Sequence, residues 1–378
     1  MMRGKLRYKV WMRRLLLYVT LCLALVAGTV FVIDPLQHYR RATFYRPLWE
    51  NQRYYNPGFA KHYDYNCIIT GSSMVQSFTP SEVGKKLSRR VLLTSIGGGR
   101  PYEENILLNT ALRTGKVRTV IWGLDLNEFG GGTKVLNFGP GSMPFYLYDD
   151  NPFNDYHYLL NLDVLVSDCR RALAANLLHL TRYNREMNLD SCQYVADRFT
   201  FSRETTLATW RDALRQNAGP VQVRPGDLDT MKRCFDVNVM PLIGRHPAVE
   251  YYFFYPPYSV LFWSVSGHRL ETLMDLKRYI FQRTRGLPNV RIFDFQDIGD
   301  ITMDLDNYMD YSHYSPAICR FMVDAMSRNE YVVTDSNVEQ KISRLESEVQ
   351  KFDDSLAAAR SDSSRAPLDS SRTLHSIH

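Results

Sequence analysis

Outside its first fourteen residues this 378-residue chain has no net charge. Residues 1–14 hold Arg3, Lys5, Arg7, Lys9, Arg13 and Arg14 and no acid, and the whole sequence has 46 Lys and Arg against 40 Asp and Glu, so residues 15–378 balance. No basic stripe is left to follow a phosphate backbone, which excludes nucleic acid as a partner. Cysteine is scarce: there are six, with no C-x-x-C and no clustering of His with Cys at zinc-ligand spacing, so no metal site is expected. Cys22 lies in an apolar run. The remaining five (Cys67, Cys169, Cys192, Cys234, Cys319) are odd in number, so at least one is unpaired or pairs between chains, and burial is the expected role of each. Only one long apolar run is present, which excludes a polytopic membrane protein. With 45% hydrophobic and 23% charged residues, 21 Gly and 17 Pro, the chain is neither a disordered polymer nor collagen. No internal repeat is visible.

The apolar run is Leu15 to Ile33, nineteen residues without a charge. At about 1.5 Å per residue a helix of this length spans roughly the 30 Å hydrocarbon core of a bilayer. The six bases before it form a cytoplasmic tail (1–14), and the chain after residue 33 is expected outside the cytoplasm, as a single-pass type II protein in contact with the lipid bilayer through this helix. A cleaved signal peptide is the competing reading, but the run is longer than a usual signal core and ends in no A-x-A site. A buried core helix would need neither the basic flank nor the length.

Residues 34–65 form an aromatic lead-in segment (Tyr39, Phe44, Tyr45, Trp49, Tyr54, Tyr55, Tyr63), and an α/β domain is expected over 66–335. Strands are read at 67–70, 91–94, 120–124, 250–255 and 290–293. Between them Thr79-Pro80-Ser81-Glu82 has capping-box spacing with Pro at the first helical position, residues 101–114 read as a helix, and Ser315-Pro316 opens the last helix. Five strands separated by helices predict a parallel sheet covered on both faces. The alternation lapses over about 130–245, read as a mostly helical insertion with a Gly/Pro-rich loop at 130–144, a candidate lid. From 336 a short heptad-like stripe (Val338, Ile342, Leu345, Val349, Phe352) predicts a helical stub, and 360–378 is Ser/Arg/Asp-rich and reads as disordered.

In an open parallel sheet, ligands collect beyond the carboxyl ends of the strands. Ser72 and Ser73 follow the first strand, Gly97–Gly99 the second, and Asp125 and Asn127 the third. Asp310-Tyr311-Ser312-His313 sits in the loop before the final helix. A serine hydroxyl is a weak nucleophile until a histidine takes its proton, and a carboxylate must fix that histidine's tautomer. Of nine histidines only His313 has an Asp three residues earlier. Ser73 and His313, far apart in sequence, fall at one sheet edge.

Gly71-Ser72-Ser73, Gly98 and Asp310-x-x-His313, in this order and context, resemble the blocks of the SGNH/GDSL hydrolase superfamily over roughly residues 34–330. The likeness is greatest to its membrane-anchored branch, which includes the D-alanine transfer protein of teichoic-acid modification and polysaccharide O-acetylation proteins; Asn56-Pro57-Gly58 and Pro256-Pro257 add to it. The resemblance implies a flavodoxin-like fold, Ser73 as nucleophile, His313 as general base and Asp310 as its partner. The N–H groups of Ser73 and Gly98 would donate to the oxyanion. It implies an esterase or O-acyltransferase acting on a cell-surface glycan or its acyl donor, with no cofactor and with a membrane-bound acyltransferase as a possible partner. Two positions depart from the pattern. Ser72 replaces the usual Asp, as in the membrane-anchored branch, and Gly123-Leu124-Asp125 puts a carboxylate where an amide donor is expected. An ionised Asp125 would repel the oxyanion, so either Asn127 reaches the site, Asp125 does other work, or activity is weak. A scaffold that keeps the fold without turnover is the alternative, favoured by Asp125 and the heptad stripe; a peptide-cleaving hydrolase is a third reading.

Several of these features also have structural explanations. Gly97–Gly99 can be a plain tight turn, and Tyr251–Tyr255 reads as a buried strand in preference to a sugar platform. Asp304, Asp306 and Asp310 lack the Gly and Glu of a calcium loop. His157 and Tyr158 read as a surface helix.

Overall fold

The computed structural model describes residues 2–45, 51–177, 190, 199–216, 227–265 and 270–363. Five strands, β1 (Cys67–Gly71), β2 (Val91–Ser95), β3 (Thr119–Gly123), β4 (Glu250–Tyr255) and β5 (Val290–Asp294), form one parallel sheet in the order β2-β1-β3-β4-β5. This is the flavodoxin-like order. All five strands fall within a residue of where the apolar runs put them. Their residues are buried almost throughout, as a sheet covered on both faces requires.

The helices are α1 (Met2–Ile33), α2 (Gln52–His62), α3 (Pro80–Leu87), α4 (Pro101–Arg113), α5 (Tyr156–Leu159), α6 (Arg170–Leu177), α7 (Arg203–Gln216), α8 (Asp227–Asn238), α9 (Met240–Arg245), α10 (Leu270–Thr284), α11 (Gly299–Thr302), α12 (Pro316–Ser327) and α13 (Val338–Ser363). Helices α3 and α12 pack together; α4 packs on α2 and α8, and α8 on α10. The prolines at 80, 101 and 316 each open a helix, where a missing N–H costs nothing. Thr79 and Ser315 hold the cap positions without a side-chain cap bond, so proline and tertiary packing set these starts.

Helix α1 differs from expectation at its beginning. It runs back through the basic segment to Met2, because residues 2–14 hold no proline, Gly4 falls in the first turn only, and Lys, Arg, Leu and Met favour a helix. Its stretch Arg7–Ile33 is long and apolar enough to cross a membrane and is almost entirely exposed. The lead-in segment holds α2, which carries Asn56, Pro57 and Gly58 into the core, and Trp49 lies outside the described residues. Between β3 and β4 the described residues are largely helical.

The heptad-like stripe is used up inside the molecule. Helix α13 buries Ile342, Leu345 and Val349 in the main core, and Phe352 packs near Trp210 in a smaller cluster. Lys341 of the same helix pairs with buried Asp297 at 2.8 Å. The expected disordered tail from 360 is helical to Ser363, and the rest of it lies outside the described residues. Cys67, Cys169, Cys234 and Cys319 are buried, Cys22 is exposed, and Cys192 lies outside the described residues.

Candidate active site

Strand order reverses at β1: β2 lies on one side of it and β3 on the other. The carboxyl ends of β1 and β3 therefore flank the crevice of a doubly wound sheet, which is where Ser73 and Asp125 emerge. At the end of β1, Gly71 has φ +150°, and an added Cβ would lie 2.9 Å from Val75 Cγ1. This turn leads directly into a short 3₁₀ helix, Ser73–Val75, with Ser72 at its cap. Gly123 at the end of β3 leaves room for the same Val75 side chain. Two residues without a side chain thus let the serine turn sit down onto the sheet edge.

The loop before α12 brings the base. Ser73 Oγ and His313 Nε2 are 2.7 Å apart, and His313 Nδ1 is 2.7 Å from Asp310 Oδ2. The other carboxylate oxygen, Asp310 Oδ1, accepts from the backbone N–H of His313 (2.7 Å) and Ser312 (2.8 Å) and from Ser312 Oγ (3.0 Å). Burial by itself would raise the Asp310 carboxyl, but the bond and charge of His313 and the two backbone donors outweigh it and draw it down to about 2. An ionised Asp310 facing Nδ1 keeps the Nδ1–H tautomer, which leaves Nε2 as an acceptor for the serine proton. Ser73 and His313 are half-buried, within reach of solvent. The two loops are tied together: Ser77 Oγ donates to Tyr314 O at 2.9 Å, and Tyr314 OH donates to Met74 O.

Of the two serines, only Ser73 faces the base. Ser72 Oγ donates to Asp125 Oδ2 at 3.1 Å and accepts from Met74 N–H. Asp125 therefore does other work than meeting an oxyanion: its second oxygen accepts from Tyr258 OH at 2.6 Å, and its carboxyl holds the residue before Ser73 in place. Burial lifts this carboxyl above its ordinary range, partly offset by its hydroxyl donors. Asn127 enters through its backbone N–H, which donates to Asp125, and its amide makes no hydrogen bond among the described residues.

The Gly97–Gly99 turn follows β2, and Ser95 pairs in register with Gly71. Ser73 and Gly97 each lie two residues past that pair, and a Cβ on Gly97 would be 3.6 Å from Gln76 Nε2, one 3₁₀ turn beyond Ser73. Gly98 has φ +59°, and a Cβ there would be 2.3 Å from Asn137 Nδ2. Ser73 N–H, Gly98 N–H and the Asn137 amide have no hydrogen-bond acceptor among the described residues. Gly98 and the Asn137 amide thus lie together, just past the strand that pairs with the one leading to Ser73. Sequence reading missed Asn137, because nothing in the loop 130–144 announces which residue folds back onto a glycine four decades of residues earlier.

It also missed the supports in α2. Asn56 Nδ2 donates to Ser95 O at 2.9 Å, Gln52 Oε1 accepts from Gly97 N–H, and Arg53 donates to Gly97 O at 3.2 Å while pairing with buried Glu103 at 2.8 Å. A cavity of about 420 Å³ borders this turn, lined by Asn51, Gln52, Arg53, Tyr54, Phe138 and Ser142. The remaining candidates lie elsewhere. Asp304 caps a short turn, and Asp306 accepts from Arg203 N–H, so neither shares a centre with Asp310. Tyr251 and Phe253–Tyr255 are core residues. Tyr158 is buried and donates to Asp34, and the exposed His157 rests against Tyr146 and Tyr156.

No protein-family model and no curated protein matches this chain. Among solved structures, one from Streptococcus pneumonia, provisionally described as a platelet activating factor, is similar at 10% identity, with a TM-score of 0.38, over 74% of this chain and 89% of that one.

Proposed function

We propose that this protein is a serine-dependent esterase or O-acyltransferase of the SGNH type, held at the outer face of a membrane by α1. The observation that carries the reading is the continuous chain Ser73 Oγ, His313 Nε2, His313 Nδ1, Asp310 Oδ2, with 2.7 Å at both contacts. In the reaction Ser73 attacks an ester carbonyl as His313 takes its proton, and Asp310 stabilises the imidazolium that forms. The N–H groups of Ser73 and Gly98 and the Asn137 amide meet the oxyanion. The alcohol then leaves with the proton from His313, and an acyl group remains on Ser73. Water or a sugar hydroxyl, deprotonated by His313, resolves it. The cavity beside Gly97 offers polar amides next to aromatic rings, a lining suited to part of a glycan or its acyl donor. A membrane acyltransferase as partner would favour transfer over hydrolysis. The basic residues before the apolar run favour a cytoplasmic N-terminus and an extracytoplasmic domain.

Labelling the full-length protein in detergent with a fluorophosphonate probe tests this. Ser73 is expected to react, with loss of labelling in Ser73→Ala, slowing in His313→Ala and retention in Ser72→Ala. A folded protein that does not label at all would make the scaffold reading the correct one.

A further inference from the structure

Helix α1 is exposed from residue 13 to residue 25, then buried on one side. Val26 and Ala27 are half-buried, and Val30 and Ile33 are buried. What covers this end is the segment containing α5 and the turn of π-helix at Val164–Cys169. The segment is clamped to the chain leaving α1. Tyr158 OH donates to Asp34 Oδ1 at 2.9 Å and accepts from Leu36 N–H at 3.2 Å. Asp155 pairs with His38 Nε2 at 3.1 Å and accepts from Tyr39 OH at 2.9 Å.

The same segment is apolar on both sides. Tyr158, Val164 and Cys169 face inward, while Phe153 (88% exposed), Tyr156, Leu160, Leu162 (65%) and Val166 (58%) face outward. Five large apolar side chains exposed within fourteen residues are not ordinary soluble surface. Residues 26–33 occupy about 10 Å of helix, so side chains packed against them stand level with the last 10 Å or so of the apolar run. Amphipathic segments lie in a membrane boundary to a depth of about 5–10 Å. Two carboxylates lie in this stretch: Asp155, taken up by His38 and Tyr39, and the exposed Asp163, at the cap of the π-helix; the Arg40 guanidinium, bonded to Phe31 O and Val32 O, closes the end of α1.

We infer that residues 153–166 form a second membrane-contacting surface, a collar that rests in the lipid interface beside the end of α1. The inference rests on the reading of α1 as a membrane span. Its occupant is the bilayer because the patch continues the lipid-facing surface of α1 and shares its depth. Two attachments, one spanning and one lying flat, fix the tilt of the domain over the membrane, which a single helix would leave free.

Photolysis of the full-length protein in phospholipid nanodiscs, with a diazirine on the lipid acyl chain, followed by peptide mass spectrometry, reads this directly. Labelling is expected on α1 and on residues 151–170 and absent from the peptide around Phe138, which is exposed but lies outside the collar. In a Phe153→Glu, Leu162→Glu variant, whose changed side chains point outward, labelling of 151–170 is lost while that of α1 persists. Labelling of α1 alone overturns the collar and leaves the patch to a protein partner. Absence from both overturns the spanning reading with it. Equal labelling around Phe138 also overturns the collar, since simple exposure would then account for the signal.

Discussion

Replacing Asp310 by Asn tests the site at its most sensitive joint. The carboxylate accepts from His313 Nδ1 and from three donors of residues 312 and 313, and an amide keeps the size but offers only one oxygen. If that oxygen stays with the backbone donors, the amide N–H faces Nδ1. The imidazole must then carry its proton on Nε2, where it donates to Ser73 and can no longer accept from it. A tautomer change of this kind lowers kcat on the order of 10⁴-fold. Stability changes as well. A carboxyl held at about 2 against an ordinary 3.8 contributes about 2 kcal/mol to the folded state at neutral pH. Because the folded value is the lower one, this stabilisation is present above about pH 4 and is lost as pH falls through about 2. Two measurements check the reasoning: the rate of fluorophosphonate labelling at Ser73, and urea unfolding of Asp310→Asn beside wild type at pH 7 and pH 3. Labelling of the variant within about tenfold of wild type would refute the tautomer account, and an unfolding difference of the same size at both pH values would refute the electrostatic one.

The oxyanion assignment predicts that Asn137→Ala lowers kcat about 10²- to 10³-fold with little change in KM, while Asn127→Ala is close to wild type; steady-state ester hydrolysis separates them, and the reverse ranking would return the role to Asn127. Glu104 is buried, accepts from Trp122 Nε1 at 2.6 Å, and is held well above the ordinary carboxyl range by burial. Since its folded value is the higher one, wild type loses stability as pH rises above the unfolded value, so Glu104→Gln should gain in thermal midpoint relative to wild type from pH 5 to pH 8; a difference independent of pH would count against this.

Much of the fold was legible before any coordinates. Short apolar runs marked all five strands, those of β1, β3 and β4 ending at glycine or proline, because a strand covered on both faces has few polar positions to disguise it. The meeting of Ser73 and His313 was legible for a related reason: parallel strands deliver their following loops to one edge, so the two could be placed together from the alternation of strands and helices. The heptad-like stripe of 338–352 was ambiguous, since an apolar stripe looks the same whether it meets another chain or its own sheet. Helix α13 meets its own domain.

Local sequence therefore determined which segments are strands, which helix is apolar enough for a bilayer, and which serine and histidine share an edge. These follow from periodicity and connectivity, properties carried by neighbouring residues. Tertiary structure alone decided what Asp125 does, that Asn137 lies against Gly98, that α2 braces the Gly97 turn, and that the apolar face of 153–166 sits beside the end of α1. Each is a contact between segments whose spacing in sequence carries no information about their distance, and a hydrogen bond's partner is chosen by packing geometry that only the assembled layers define.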